Sequence, residues 1–136
     1  MPTDPDTDLR NANELLQQGQ MEEAIRMLVQ LADDFWLEEL YPQADAVYRK
    51  ALEVDHHHDH SLWQLADIAV RQGRRAAARQ YLLHLVDVRT LRGDEQGLAD
   101  CRKLLQAIDA ALSASHASAP TEVDLSDALA DMGPDQ

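Results

Sequence analysis

The chain has few cysteines, glycines, prolines and aromatic residues. Its 136 residues include one Cys, five Gly, five Pro, two Trp, three Tyr and one Phe. The single thiol, Cys101, excludes an intramolecular disulfide framework and is compatible with a reducing compartment. No run of alternating β-branched residues occurs, so the sequence indicates an all-α fold. Glycine-rich phosphate loops, nucleophile motifs and paired zinc-ligand motifs of the HExxH kind are also missing, so we expect no enzymatic activity and no cofactor.

Long apolar stretches and a basic leader are absent as well. No apolar run approaches the roughly 20 residues that a membrane-spanning helix needs. The first residues, from Met1 to Asp6, are acidic, whereas a secretory signal begins with basic residues followed by an apolar core. We therefore expect a soluble, cytoplasmic protein without membrane insertion.

Negative charge dominates, but it is unevenly distributed. The net charge is −13, with 15 acids and 4 bases in residues 1–69, and 6 acids and no Lys or Arg in residues 104–136. An overall negative field disfavours nucleic acid and anionic membranes as partners. The exception is a basic cluster formed by Arg71, Arg74, Arg75 and Arg79. This cluster is either a solvated helix end and turn, or a docking site for an acidic segment such as the chain's own tail.

Apolar residues recur at helical spacing and predict six helices. The expected spans are about 8–18, 21–36, 40–54, 62–72, 74–91 and 94–112. Gly19 and Gly73 are expected to end the first and fourth helices. Asp94 is expected to cap the sixth helix, and Asp59 or Ser61 the fourth.

A pattern of small and large residues returns after 34 positions. Its members are Ala44, Tyr48 and Ala51 in one helix, and Ala78, Leu82 and Leu85 in a later one. Gly73 precedes the second set, and Glu39 stands at the corresponding place before the first. The pattern resembles the tetratricopeptide repeat (TPR), a helix–turn–helix unit that stacks into a solenoid. The resemblance implies a right-handed α-α superhelix of about six helices that binds other proteins.

Four segments follow from this interpretation. Residues 1–8 are expected to be a disordered acidic N-terminus, and residues 9–112 the TPR-like helical domain. Residues 113–120 have the composition of a flexible linker. Residues 121–136 form an acidic tail in which Leu125, Leu129 and Met132 share one face of a short amphipathic helix. This tail is either a solubilising segment or a recognition segment that competes for, or supplements, the groove.

The resemblance also implies a concave groove that holds a peptide or helix segment of another protein. By helical spacing, the groove residues are Arg26, Val29, Gln30, Asp33 and Trp36 in one unit, and His60, Trp63, Gln64, Asp67 and Arg71 in the next. Trp36 and Trp63 are expected to bury apolar partner surface, unless they pack between neighbouring helices instead. The aromatic and acidic character suits an amphipathic helix or an extended segment with basic residues.

Two other functions stay open at this point. The first is an assembly scaffold that self-associates through the solenoid ends and the acidic tail. The second is metal binding by a histidine cluster, which consists of His56, His57, His58 and His60. Imidazole and carboxylate side chains are ligands for zinc, but this cluster lies in an interhelix turn, where a polar turn without a metal is the simpler interpretation.

Overall fold

The computed structural model of the chain describes residues 4–116, and all the regular structure in this range is helical. The six helices are α1 (Pro5–Gln17), α2 (Met21–Leu37), α3 (Tyr41–Val54), α4 (Asp59–Arg71), α5 (Arg75–Arg92) and α6 (Glu95–His116). Residues 4–116 contain no strand, which confirms the all-α prediction. None of the helices in this range combines the length and the apolar character needed to cross a bilayer.

The helix order agrees with the sequence, but α4 begins at Asp59 instead of about residue 62, and the two outer boundaries also differ. α1 begins at Pro5, where the fixed φ of proline suits the first helical turn, so residues 5–8 of the expected disordered segment are helical. α6 continues to His116, because no Gly or Pro interrupts the chain between residues 113 and 116. These four residues belong to the expected linker. The rest of the linker and the acidic tail lie outside the described residues.

Four interhelix turns share one backbone geometry. Gly19, Glu39, Gly73 and Gly93 have φ values of 77°, 61°, 76° and 69°. In each turn the next residue donates its amide hydrogen to a carbonyl five residues earlier, at distances of 2.8–3.0 Å. This is the Schellman motif, which satisfies helix-end carbonyls and favours glycine at the left-handed position.

The starts of the last three helices repeat those of the first three at a constant interval of 54 positions. The paired starts are Pro5 and Asp59, Met21 and Arg75, and Tyr41 and Glu95. The turns follow the same interval, with Gly19 matched to Gly73 and Glu39 matched to Gly93. The 54-residue interval therefore relates two sets of three helices, in addition to the 34-residue interval between residue patterns.

The chain divides into two compact units, Met1–Ser61 and Leu62–Gln136. In the first unit α2 packs against both α1 and α3, around the fully buried Tyr48. Ala24 and Ala44 are also fully buried, and small residues at such positions let helices approach closely. In the second unit α5 packs against α6, and the core contains the buried residues Leu82 and Ile108.

α4 differs from the other helices because it has no exposed face over most of its length. Every residue from position 61 to position 70 is buried. A helix that is buried on all sides must carry polar residues in satisfied pairs, since an unpaired buried charge is costly. The polar members of this stretch are Ser61, Gln64 and Asp67.

Candidate functional site

An open cleft of about 1020 Å³ runs along α1 and α2 in the first unit. The lining residues from α2 and its C-cap extend from Glu23 to Glu38, and α1 contributes Pro5, Asp8 and Leu15. At a rise of 1.5 Å per residue, the α2 side of this α1–α2 cleft is about 22 Å long. The cleft is thus as long as four helical turns.

The centre of the cleft is apolar. Met27, Leu31 and Phe35 follow one another at intervals of four residues, and therefore lie on one face of α2. Leu31 is buried, whereas Met27 and Phe35 are partly exposed. Leu37, the last residue of α2, also lines the cleft and is 71% exposed. Apolar side chains along a groove beside a helix are the kind of surface that holds the apolar face of an amphipathic segment.

The edges of the cleft are acidic. Asp8, Glu23, Asp34 and Glu38 line it together with one basic residue, Arg26. The amide of Gln30, which also lines the cleft, donates to Asp34 Oδ1 at 3.0 Å. Residues 4–40 contain ten acidic and two basic side chains, so the cleft lies in a region of strongly negative potential. We call the four carboxylates the acidic rim.

Two of the ten predicted groove residues line this cleft. Arg26 and Gln30 are both exposed and both face it. Val29 and Trp36 of the same helix are half-buried and are not among the residues that form the cleft. Of the five groove residues predicted on this helix, two therefore line the cleft, and the other three, Val29, Asp33 and Trp36, do not.

The structure corrects the expectation for three groove residues of α4. Trp63, Gln64 and Asp67 are 8%, 5% and 4% exposed, so they do not line an open surface. Instead, the Trp63 ring packs beneath the Arg89 guanidinium, whose carbon lies 5.1 Å from the ring centroid. The physical reason is that α4 has no solvent face at these positions. The alternative interpretation, that the tryptophan packs between helices, is therefore the correct one for Trp63.

Arg71 is exposed and compensates the buried carboxylate of Asp67. Its Nε donates to both Oδ1 and Oδ2 of Asp67 at 3.0 Å. Two other members of the basic cluster are also engaged: Arg74 donates to the Gln72 side-chain oxygen, and Arg79 Nε lies 2.9 Å from Asp109 Oδ1. Arg71, Arg74 and Arg79 therefore each contact a polar side chain of the protein itself.

Asp33 and His60, two more predicted groove residues, meet in a polar network. His60 Nε2 lies 2.8 Å from Asp33 Oδ1, and the Tyr48 hydroxyl donates to the same oxygen. The Tyr48 and His60 rings meet edge to face, with centroids 6.0 Å apart. The network ties the first turn of α4 to α2 and α3, so it has a structural role in the first unit.

The histidine cluster is also engaged locally. His58 precedes α4, and its Nδ1 accepts from the Ser61 backbone amide at 3.3 Å, in the manner of an N-terminal cap. His58 therefore supplies a cap that was not predicted, and the Ser61 hydroxyl lies 2.9 Å from the same nitrogen. In residues 4–116 no group of three His, Cys, Asp or Glu side chains has a metal-binding arrangement.

Arg89 is a buried residue that the sequence patterns did not single out. Its Nη1 donates to the Gly97 carbonyl at 2.8 Å and lies 3.4 Å from Cys101 Sγ. Together with Trp63, these contacts place a cation in the core of the second unit. Arg89 lies on the apolar face of α5, and only the three-dimensional contacts identify it as a core residue.

Known protein families and curated proteins offer no match to this chain. No family model matches it, and no curated sequence is significantly similar to it.

Proposed function

We propose that the protein is a non-enzymatic, cytoplasmic adaptor that holds a segment of another protein on a TPR-like stack of helices. The observation that carries this proposal is the open α1–α2 cleft, with its apolar centre and a leucine that is 71% exposed at its end. A surface of this kind favours a macromolecular partner over a small molecule, because it is long and open to solvent.

The buried residues support the TPR-like part of the proposal. The small and large residues of the 34-residue pattern all lie in the core, as close helix packing in such a repeat requires: Ala44, Tyr48, Ala51, Ala78, Leu82 and Leu85. Glu39 and Gly73, which are related by the same interval, adopt the same left-handed turn. A right-handed superhelix of about six helices is the arrangement that we propose for these elements.

The binding energy would come mainly from apolar burial. A leucine that passes from exposed to buried contributes about 1.5–3 kcal/mol. Covering Leu37 is therefore worth about a tenfold change in affinity or more. Polar contacts at the edges would then fix the orientation of the bound segment.

Capture from a native cell extract tests the adaptor proposal. Leu37→Ser removes an apolar group from the cleft, whereas Leu91→Ser is a matched control, because Leu91 is 86% exposed at the equivalent position of the second set of helices. We expect the wild-type protein and the Leu91→Ser variant to retain the same partner, and the Leu37→Ser variant to lose most of it. Equal retention by all three proteins would contradict this use of the cleft.

Self-association is the second candidate function. Leu37 and Leu91 are both highly exposed, and Leu83 is 38% exposed, so contacts between copies have apolar surface to use. Sedimentation at several concentrations separates the two functions. An adaptor is expected to be a concentration-independent monomer, and a scaffold is expected to increase in mass with concentration.

A further inference from the structure

We propose that the segment bound in the α1–α2 cleft is a basic amphipathic helix of about four turns. This inference rests on the proposed adaptor function and specifies the chemistry of its partner. The reasons are the shape of the cleft, the burial of the central part of the equivalent face elsewhere in the chain, and the sign of the charge at the rim.

The shape of the cleft favours a helix. The residues of α2 and its C-cap that line the cleft are spaced mainly by three or four positions from Glu23 to Glu38. This spacing makes one continuous stripe along the helix. Such a stripe beside a second helix forms a groove into which the side-chain ridge of a third helix packs. A length of about 22 Å corresponds to about 15 helical residues.

The 54-residue interval allows this face to be compared with its equivalent in the last three helices. The positions equivalent to Leu31, Asp34 and Phe35 are occupied by buried residues: Leu85, Val88 and Arg89. The positions equivalent to Asp8 and Leu15 are also occupied by buried residues, Leu62 and Ala69. The central part of this face is therefore buried in the last three helices, whereas its end is exposed in both sets, since Leu91, the equivalent of Leu37, is 86% exposed. Asp34 and Phe35 are more accessible than their buried equivalents.

The charges of the acidic rim favour a partner helix with basic side chains. The acidic residues of the rim have no acidic equivalents in the second set of helices, where the chain has Leu62, Ala77, Val88 and Arg92. The four carboxylates are thus specific to the copy of this face in the first three helices. Lys or Arg side chains along the edges of a bound helix would lie opposite them, and such complementarity sets both the orientation and the choice of partner.

Charge also argues against two occupants that come from the chain itself. A second copy would present the same acidic rim, and like charges would face one another. Residues 121–136 contain five acids and no Lys or Arg, so the tail has the wrong sign for this cleft. A capping face without a ligand is expected to be polar, whereas Met27 and Phe35 are partly exposed and Leu37 is largely exposed.

Synthetic helical peptides can test the inference on the full chain. Three 18-residue peptides would share one leucine face and carry Lys, Gln or Glu on the polar face. Calorimetry in 50 mM salt is expected to show the Lys peptide binding about tenfold more tightly than the Gln peptide, from several surface ion pairs acting together. The Glu peptide should bind most weakly. Raising the salt to 200 mM should reduce the preference, since the pairs are exposed.

Matched double variants test whether the preference for the Lys peptide comes from the acidic rim. Asp34→Asn combined with Glu38→Gln removes two rim charges, and should lower the preference for Lys over Gln to about threefold. Glu14→Gln combined with Glu22→Gln removes two exposed charges from the same helices outside the cleft, and should leave the preference at about tenfold. Equal effects of the two double variants would overturn the assignment of the rim, because the attraction would then be a property of the whole acidic surface.

The remaining outcomes distinguish this inference from the adaptor function itself. If the Gln and Lys peptides bind equally, the basic character of the partner is wrong and the adaptor function stands. If a proline-interrupted Lys peptide of the same composition binds equally, the helical form is wrong. If no peptide binds, the cleft is an N-terminal capping face, and both the inference and this site for the adaptor function fail.

Discussion

Replacement of Gly97 by alanine tests how the second unit is built. Gly97 lies in the first turn of α6, where helix propensity alone favours alanine over glycine by up to about 1 kcal/mol. The structure predicts the opposite sign. A Cβ atom at this position would lie 2.8 Å from Arg89 Cδ and 2.7 Å from Asp94 Cγ, both closer than real Cβ contacts come.

The magnitude follows from the contacts that must move. Asp94 Oδ1 accepts from the Gly97 amide at 2.9 Å, and losing such a cap costs about 1 kcal/mol. Arg89 donates to the Gly97 carbonyl from a buried position, and a hydrogen bond from a charged group contributes about 1.5–3 kcal/mol. Propensity offsets part of this loss, so we expect Gly97→Ala to lower the free energy of unfolding by about 2 kcal/mol.

Urea unfolding followed by circular dichroism measures this change. Asp94→Ala supplies the control, because it removes one of the two clashing groups. In the Asp94→Ala background, Gly97→Ala should therefore cost about 1 kcal/mol less than in the wild type. Stabilisation by Gly97→Ala in the wild type would refute the close packing of α5 against the start of α6.

Three further changes have defined outcomes. Glu39→Gly should raise the free energy of unfolding by about 1 kcal/mol in the same assay, because Glu39 has a φ of 61° that glycine adopts without strain. Destabilisation by this change would contradict the left-handed conformation of residue 39. Tyr48→Phe keeps the buried ring and removes the hydroxyl that donates to Asp33. We expect this change to lower the free energy of unfolding by about 1.5 kcal/mol. An unchanged free energy of unfolding would show that the network does not stabilise the protein. Deleting residues 118–136 should change the affinity for the Lys peptide by no more than about twofold, because the negative charge of the tail disfavours its binding beside the acidic rim. A clear increase in affinity would show that Leu125, Leu129 and Met132 compete with the peptide for the cleft.

Local periodicity explains why the helices were predictable and why their contacts were not. Every helix and every turn glycine has a signature within a few residues, so six helices and the cap at Asp94 follow from the sequence. The contact between Asp33 and His60 spans 27 residues, and nothing local indicates it. The 54-residue interval is equally hidden, because equivalent positions such as Phe35 and Arg89 share a place in the fold but not a residue type.

The candidate site shows the same limit. Helical spacing selected residues on α2 and α4, of which Arg26 and Gln30 line the cleft, but it could not tell which helix faces are open to solvent. Trp63 was expected to bind a partner because tryptophan is frequent at binding sites. Its burial depends on residues such as Arg89, which lies 26 positions further along the chain. Burial is a property of the assembled helices, and composition does not determine it.

Mapping backbone amide shifts during a titration with the Lys peptide tests the central claim most directly. In a spectrum of the ¹⁵N-labelled full chain, we expect the largest changes in α1 and in α2 between residues 23 and 38, with little change in α5 and α6. That result would place the bound helix in the α1–α2 cleft. Changes concentrated in α5 and α6, or no changes at a saturating peptide concentration, would contradict the account.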